Sequence, residues 1–241
     1  MTYSEKPSWV LGYGSLLFKP PPHAVYRLPG HINGFVRRFW QSSSDHRGTP
    51  ESPGRVVTLI DLKNIQQNEA FQKDVLKYEL RDRAGSGVNF DELTVKDLSI
   101  WGCIYYIPPS KAKEVAEYLE LREQDGYTAH EVDFNVRLLP DQEADPELLE
   151  LMSTLNKDAN GNYLIKSIVY IGTIDNASFV GPEDINDTAS IISTNVGPSG
   201  PNLEYLSNLV TSLKTLDPNH NSNDYYLKEL LKCSLKFQKK V

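Results

Sequence analysis

The chain is poor in cysteine, with only Cys103 and Cys233 among its 241 residues. Two thiols build no disulfide framework, and they fit a reducing compartment. Cys103 sits in the apolar run Ile100 to Ile107, which reads as a buried structural thiol rather than a nucleophile. Long apolar runs are also missing, and no stretch is long enough to span a bilayer. Met1 to Pro7 is polar and carries no apolar signal core, so a cytosolic start and a cytoplasmic location are expected. The sequons at Asn176 and Asn186 then carry no meaning. Basic charge is scarce as well: 25 Lys and Arg face 32 Asp and Glu, for a formal net charge of −7. Arg37-Arg38 and Lys239-Lys240 are isolated pairs rather than a stripe, so neither nucleic acid nor anionic membrane is an expected partner.

Several catalytic signatures are absent. There is no Cys-x-x-Cys, the five histidines are scattered, and His130-Glu131 lacks the second histidine of a zinc helix, so no metal is expected. Ser42 to Val57 gathers Ser, Asp, His and Arg in one loop, but no G-x-S-x-G elbow accompanies it. The nearest string, Gly197-Pro198-Ser199-Gly200, lacks the second spacer, which argues against a serine hydrolase. Asp45 and His46 are adjacent and are expected to point apart, with His46 and Arg47 stabilising the loop. No apolar heptad occurs, so a monomer is expected.

What is present is ordinary for a globular chain: 39 % apolar and 24 % charged residues, enough for a sizeable core in a single domain over residues 1–241. Strands are predicted at Trp9–Tyr13, Ile32–Gln41, Arg55–Leu62, Ile100–Ile107, His130–Leu138 and Leu164–Thr173. Helices are predicted at Glu69–Tyr78, from a Ser110 cap to about Gln124, and at Ile185–Val196, Asn202–Leu216 and Asp224–Phe237. Ile65–Ser99 and Pro140–Tyr163 read as polar inserts. Strands come early and helices late, which predicts an α+β fold.

The helix starting at Ser110 carries a carboxylate in an unusual place. Ala112, Val115, Ala116 and Leu119 form one apolar stripe at helical spacing. Glu123, four residues beyond Leu119, falls near the middle of that stripe. A carboxylate on a buried face is costly unless it is paired or used, and burial raises its pKa towards the range of a general acid or base. A structural ion pair, for example with Arg55, also satisfies the pattern, as does fraying of the helix before residue 123. The wheel by itself leans slightly towards those structural readings.

Gly12 to Leu17 (GYGSLL) follows the first strand. It begins like a dinucleotide fingerprint, but the third glycine is missing and Lys19-Pro20-Pro21-Pro22 prevents the helix that would hold a pyrophosphate. The segment fits a tight turn, or a ring of backbone N–H groups around a small anion, with Gly14 allowing close approach and Ser15 adding a hydroxyl. Gly197 to Leu206 (GPSGPNLEYL) reads as a structural connector between two helices, with Ser199 as a cap for the second of them.

In order, the chain contains WVLGYGSL, RRFWQSSSDHRGTPESPGRVVTL, WGCIYYIP, YLELREQDGY, VYIGTIDN, FVGP and GPSGPNLEYL. This series resembles the glutathione-specific γ-glutamylcyclotransferases of the ChaC-like family, from about Trp9 to about Leu231. The resemblance implies a mixed β-barrel or strongly curved sheet flanked by helices, with the substrate at the barrel mouth. It implies conversion of reduced glutathione to 5-oxoproline and cysteinylglycine without a metal or organic cofactor. It implies Glu123 of the R-E-x-x-G-Y segment as the catalytic acid/base, and the Tyr13 to Leu16 turn as the substrate loop. The full substrate-binding set expected is Val10, Leu11, Gly12, Tyr13, Gly14, Ser15, Leu16, Ser43, Arg55 and Tyr127. Asp125 stands where many members have a second glycine, and both inserts are longer than in compact members. Other γ-glutamyl amino acids or amines as substrates, or a non-catalytic module that binds a small ligand, are the competing expectations.

Overall fold

The computed structural model describes residues 8–83, 85, 87–122, 126–217 and 223–238. The strands in chain order are β1 (Ser8–Gly12), β2 (Tyr26–Asn33), β3 (Phe35–Ser43), β4 (Gly54–Asp61), β5 (Ser99–Ile107), β6 (Tyr127–Val136), β7 (Asn156–Lys157), β8 (Tyr163–Gly172), β9 (Val196–Gly197) and β10 (Gly200–Pro201). The α-helices are α1 (Leu62–Gln66), α2 (Glu69–Tyr78), α3 (Ala112–Arg122), α4 (Pro140–Glu143), α5 (Pro146–Met152), α6 (Ile185–Thr194), α7 (Asn202–Leu216) and α8 (Tyr225–Gln238). No helix of the described residues is long and apolar enough to cross a membrane.

Five strands close into a barrel. The hydrogen-bonded order runs β1-β5-β2-β6-β8, and β8 returns to β1. All pairings around this ring are antiparallel except the seam, where Val10 meets Ile168 in parallel. β5 is apolar along its length and pairs on both edges, so it sits at the centre of the wall. Leu28, Cys103, Ile104, Phe134 and Val169 of these strands are each fully buried in the main core. Closure removes the sheet edges that an open sheet of this size would leave exposed. The α+β mixed barrel expected from the resemblance is therefore the observed architecture.

The sequence run Ile32–Gln41 is not one strand. Gly34 takes φ +82° and ends β2, so the chain leaves the barrel and enters a separate hairpin of β3 and β4. A residue with a Cβ is strained in that left-handed conformation, and glycine is not. The hairpin is apolar on both sides. Phe39, Val57 and Leu59 join the main core, while Val36, Trp40 and Ile60 face a second cluster built with Ile65, Phe71, Val75 and Leu98. The segment read as a polar insert is thus amphipathic. Its α1 and α2 cover Trp40, whose ring lies 5.3 Å from that of Phe71. Ser110 does not cap α3. It lies inside a 3-10 turn over Pro109–Lys111, with Pro108 as the capping residue.

Arg38, fully buried on β3, ties these layers together. Its guanidinium donates to Asp74 at 2.6 Å and to both oxygens of Glu79 at 3.0 and 2.6 Å, and it stacks 4.5 Å over the Tyr226 ring of α8. Burial pushes the Glu79 carboxyl up to about 7 even beside this cation. Removing one member of such a buried pair strands the others, at a cost of about 3–5 kcal/mol. Arg38→Ala is expected to lose that much stability in urea unfolding. A midpoint equal to that of the parent chain would mean the pair contributes nothing.

Candidate functional site

The end of β1 runs directly into the turn that the sequence singles out. Gly14 accepts from the Leu17 amide at 3.0 Å, and Ser15 accepts from the Phe18 and Lys19 amides at 3.1 and 2.9 Å, making one turn of 3-10 helix over Ser15–Leu17. Two barrel side chains hold the turn from below. The buried Tyr105 hydroxyl donates to the Leu16 carbonyl at 2.7 Å, and Arg27 donates to the Leu17 carbonyl at 2.9 Å. Burial pushes the Tyr105 phenol up, which keeps it a neutral donor. A Cβ on Gly14 would sit 2.8 Å from Val57 Cγ2 and 3.1 Å from the Tyr205 hydroxyl. The glycine is required there by close packing.

A small inner cavity of about 50 Å³ opens above this turn. Leu11, Tyr13, Gly14, Ser15 and Leu16 form one wall, and Val57, Tyr127, Tyr170 and Tyr205 the other. The Tyr13 hydroxyl donates to the Tyr170 carbonyl at 2.8 Å, and the Tyr127 hydroxyl to the Val57 carbonyl at 3.0 Å. These bonds lock the rings as walls and join the barrel to the β3–β4 hairpin.

A larger outer cavity of about 300 Å³ adjoins it, and Ser15, Tyr127 and Tyr205 line both. Its remaining wall comes from α3 (Tyr118, Arg122), from Lys19, and from the 42–47 loop. Arg122, the last described residue of α3, donates to the Ser15 hydroxyl at 2.7 Å and to the Lys19 carbonyl at 3.4 Å. The end of α3 is therefore latched to the turn that follows β1. Beyond it, Gly126 reverses the chain at φ +76°, and its carbonyl accepts from Asn176 at 2.7 Å.

The sequence-predicted residues divide clearly. Leu11, Tyr13, Gly14, Ser15, Leu16 and Tyr127 line the inner cavity, and Ser43 lines the outer one. Val10 and Gly12 line neither: Val10 is buried at the barrel seam, and Gly12 pairs with Cys103 at the end of β1. Arg55 is a correction. It faces neither cavity, and its guanidinium is held by Glu183 at 2.8 and 2.7 Å. Its backbone is clasped by the fully buried Asn202 side chain, which donates to the Arg55 carbonyl and accepts from its amide, both at 2.7 Å. Glu123 itself lies outside the described residues.

Two further expectations change. Asp45 and His46 do not point apart; the carboxylate reaches His46 Nε2 at 3.3 Å. Ser199 does not cap α7. Its hydroxyl lies 3.4 Å from His46 Nδ1, and the capping position is Pro201. The Ser199–His46–Asp45 contacts are long, and the His46 side chain is half-exposed, so they organise the outer cavity rather than build a nucleophile. Ser43 accepts from the Arg47 and His46 amides at 3.1 and 3.4 Å, which folds the loop under the cavity. Sequence reasoning also missed Tyr170, Tyr205, Val57 and Arg122. All four stand inside quoted motifs, and that was the available signal.

Residues 8–237 match the family model described as ChaC-like protein. The chain belongs to the ChaC-like family. It is 45 % identical to the glutathione-specific γ-glutamylcyclotransferase of Saccharomyces cerevisiae over 242 aligned residues, covering 99 % of this chain and 100 % of that relative. It is 37 % identical to the protein of the same name from Schizosaccharomyces pombe, over 92 % of this chain and 89 % of the relative. A crystal structure of the yeast cyclotransferase specific to glutathione superposes with a TM-score of 0.87 at 44 % identity, covering 98 % of each chain.

Tyr105→Phe keeps the ring but strands the buried Leu16 carbonyl. A buried acceptor without its donor costs about 1–3 kcal/mol. The variant is expected to lose stability in that range by urea unfolding, and an unchanged midpoint would show that the turn does not depend on this bond.

Proposed function

We propose that this member of the family is a glutathione-specific γ-glutamylcyclotransferase that degrades glutathione by intramolecular aminolysis, with Glu123 as its acid/base. The observation that carries the reading is the inner cavity, built on the Tyr13–Leu16 turn and walled by Tyr127, Tyr170 and Tyr205. Relatives that align along the whole chain and carry this name support the substrate.

The γ-glutamyl group occupies the inner cavity. Its α-amine attacks its own γ-carbonyl, a C–N bond forms to close the five-membered lactam, and the amide bond to cysteine breaks. The amine arrives as an ammonium and needs a base, and the departing cysteinyl nitrogen needs a proton. One carboxylate meets both needs, so no nucleophilic serine or cysteine is required. The tyrosine walls enforce the bent conformation of the substrate and so supply the orientation term. Backbone N–H groups of the turn face the α-carboxylate or the developing oxyanion. The products are 5-oxoproline and cysteinylglycine.

Glu123→Gln is expected to reduce 5-oxoproline release from reduced glutathione by roughly 10²–10⁴-fold, the usual worth of general acid–base catalysis, with its melting temperature unchanged. A variant of near-parental turnover would sink the assignment. Release from γ-glutamyl-alanine, measured beside glutathione, separates strict glutathione specificity from a broader γ-glutamyl range.

A further inference from the structure

The two C-terminal helices form a groove of about 410 Å³ that shares no lining residue with either site cavity. Lys214 of α7 and Lys228, Lys232 and Lys236 of α8 line it, and no carboxylate does. This concentration of positive charge stands in a chain of formal net charge −7. Bases four residues apart make no run in the sequence, and only the helix aligns them on one face. All four side chains are exposed, and among the described residues none of them meets a carboxylate. Glu229, the carboxylate of α8, pairs with Lys77 at 3.5 Å, and Glu204, the carboxylate of α7, faces Arg47 at 3.7 Å. The neighbours of Lys228 are neutral: it donates to the Asn223 carbonyl oxygen and lies 5.7 Å from the Tyr225 ring centre.

Helix stability does not account for the stripe. Like charges at i and i+4 repel and destabilise a helix. The helix dipole favours cations in the last turn, which covers Lys214 and Lys236. It does not cover Lys232, and it opposes Lys228 in the first turn of α8. The rest of the groove is aliphatic. Val210 is buried, Leu231 half-buried, and Leu235 leaves 42 % of its surface exposed. No arginine, hydroxyl or side-chain amide lines it. An ammonium on a flexible stem is a point charge, with none of the planar fork that reads a partner's geometry. Such a surface selects by charge and aliphatic contact alone. Lysine stems lie along apolar surface while their heads stay among polar groups, which is the arrangement of a helix resting in a lipid headgroup layer.

We propose that the α7–α8 groove is a peripheral docking surface for a bilayer carrying anionic phospholipid, with Leu231 and Leu235 against the acyl boundary and the four lysines on the headgroup phosphates. This departs from the expectation, drawn from the isolated basic pairs, that an anionic membrane is no partner. The negative excess carried by the rest of the chain opposes unspecific adsorption to such a surface, so adhesion has to come through this groove.

The test is co-sedimentation of the full chain with phosphatidylcholine vesicles, with and without a third of phosphatidylserine. The parent chain is expected to pellet with the anionic vesicles only, and to be released as added salt screens the contact. Lys228→Gln, Lys232→Gln and Lys236→Gln combined are expected to weaken binding on the order of a hundredfold, since each base near an anionic surface contributes roughly fivefold. Leu235→Gln keeps every charge and is expected to weaken binding several-fold through lost apolar contact. These side chains are exposed, so the variants are expected to keep the melting temperature of the parent, which is the control for folding and does not depend on the cyclotransferase reading. Equal pelleting with both vesicle types, no pelleting with either, or undiminished binding by the triple variant overturns the lipid surface. Binding of poly-glutamate by a parent chain that ignores both vesicle types also overturns it, and assigns the groove to an acidic polypeptide.

Discussion

β1 pairs along one edge with β5 and touches β8 in parallel at Val10 and Ile168, and this double engagement turns an open sheet into a ring. The consequences are geometric. A strand inside a closed ring must leave it at an end, so Tyr13 to Leu17 emerges at the barrel mouth, over Tyr105 and Arg27 of the adjoining strands. Those two side chains hydrogen-bond the carbonyls of Leu16 and Leu17, and the turn has no freedom to move while the barrel is closed. Preorganisation of the site is therefore a by-product of sheet closure rather than a property of the turn.

The second layer brings the opposite wall. The β3–β4 hairpin does not belong to the barrel, yet Val57 and Tyr127 are joined across the gap by one hydrogen bond, and Thr58 donates to the Gly172 carbonyl of β8 at 2.6 Å. Asn202 and the Arg55–Glu183 pair fasten the hairpin to α7 and to the segment before α6. This is why Arg55, legible in the sequence as a cation near the site, is spent on architecture. The same fastening brings Tyr205, near the start of α7, between the two cavities, with its ring edge-on to Phe18 and Phe39 at 5.7 and 5.6 Å. Both cavities thus take walls from the barrel, the hairpin and the C-terminal helices.

Local patterns in the chain determined a good deal. The apolar run of β1, the helical spacing of Ala112, Val115 and Leu119, and the span of α7 were legible because each expresses a period or a cap that acts within a few residues. The turn at Tyr13–Leu16 was legible for the same reason, as a glycine-rich step at a strand end. The pattern failed where burial depends on a partner distant in sequence. Ile65 and Phe71 lie in a segment of polar average composition, and only the hairpin face that carries Trp40 makes their side a core.

Composition and motif order determined by themselves that this is a mixed α+β chain with a carboxylate in the Arg122–Tyr127 segment and a glycine-rich turn after its first strand. Only the tertiary structure decided which residues surround that turn. Whether a cation lines a cavity or is spent on architecture is set by long-range packing: Arg55 meets Glu183, 128 positions away, and lines neither cavity. Charge type is written in the residue, but its availability depends on what the fold places within about 4 Å of it, where an opposite charge is strong enough to claim it.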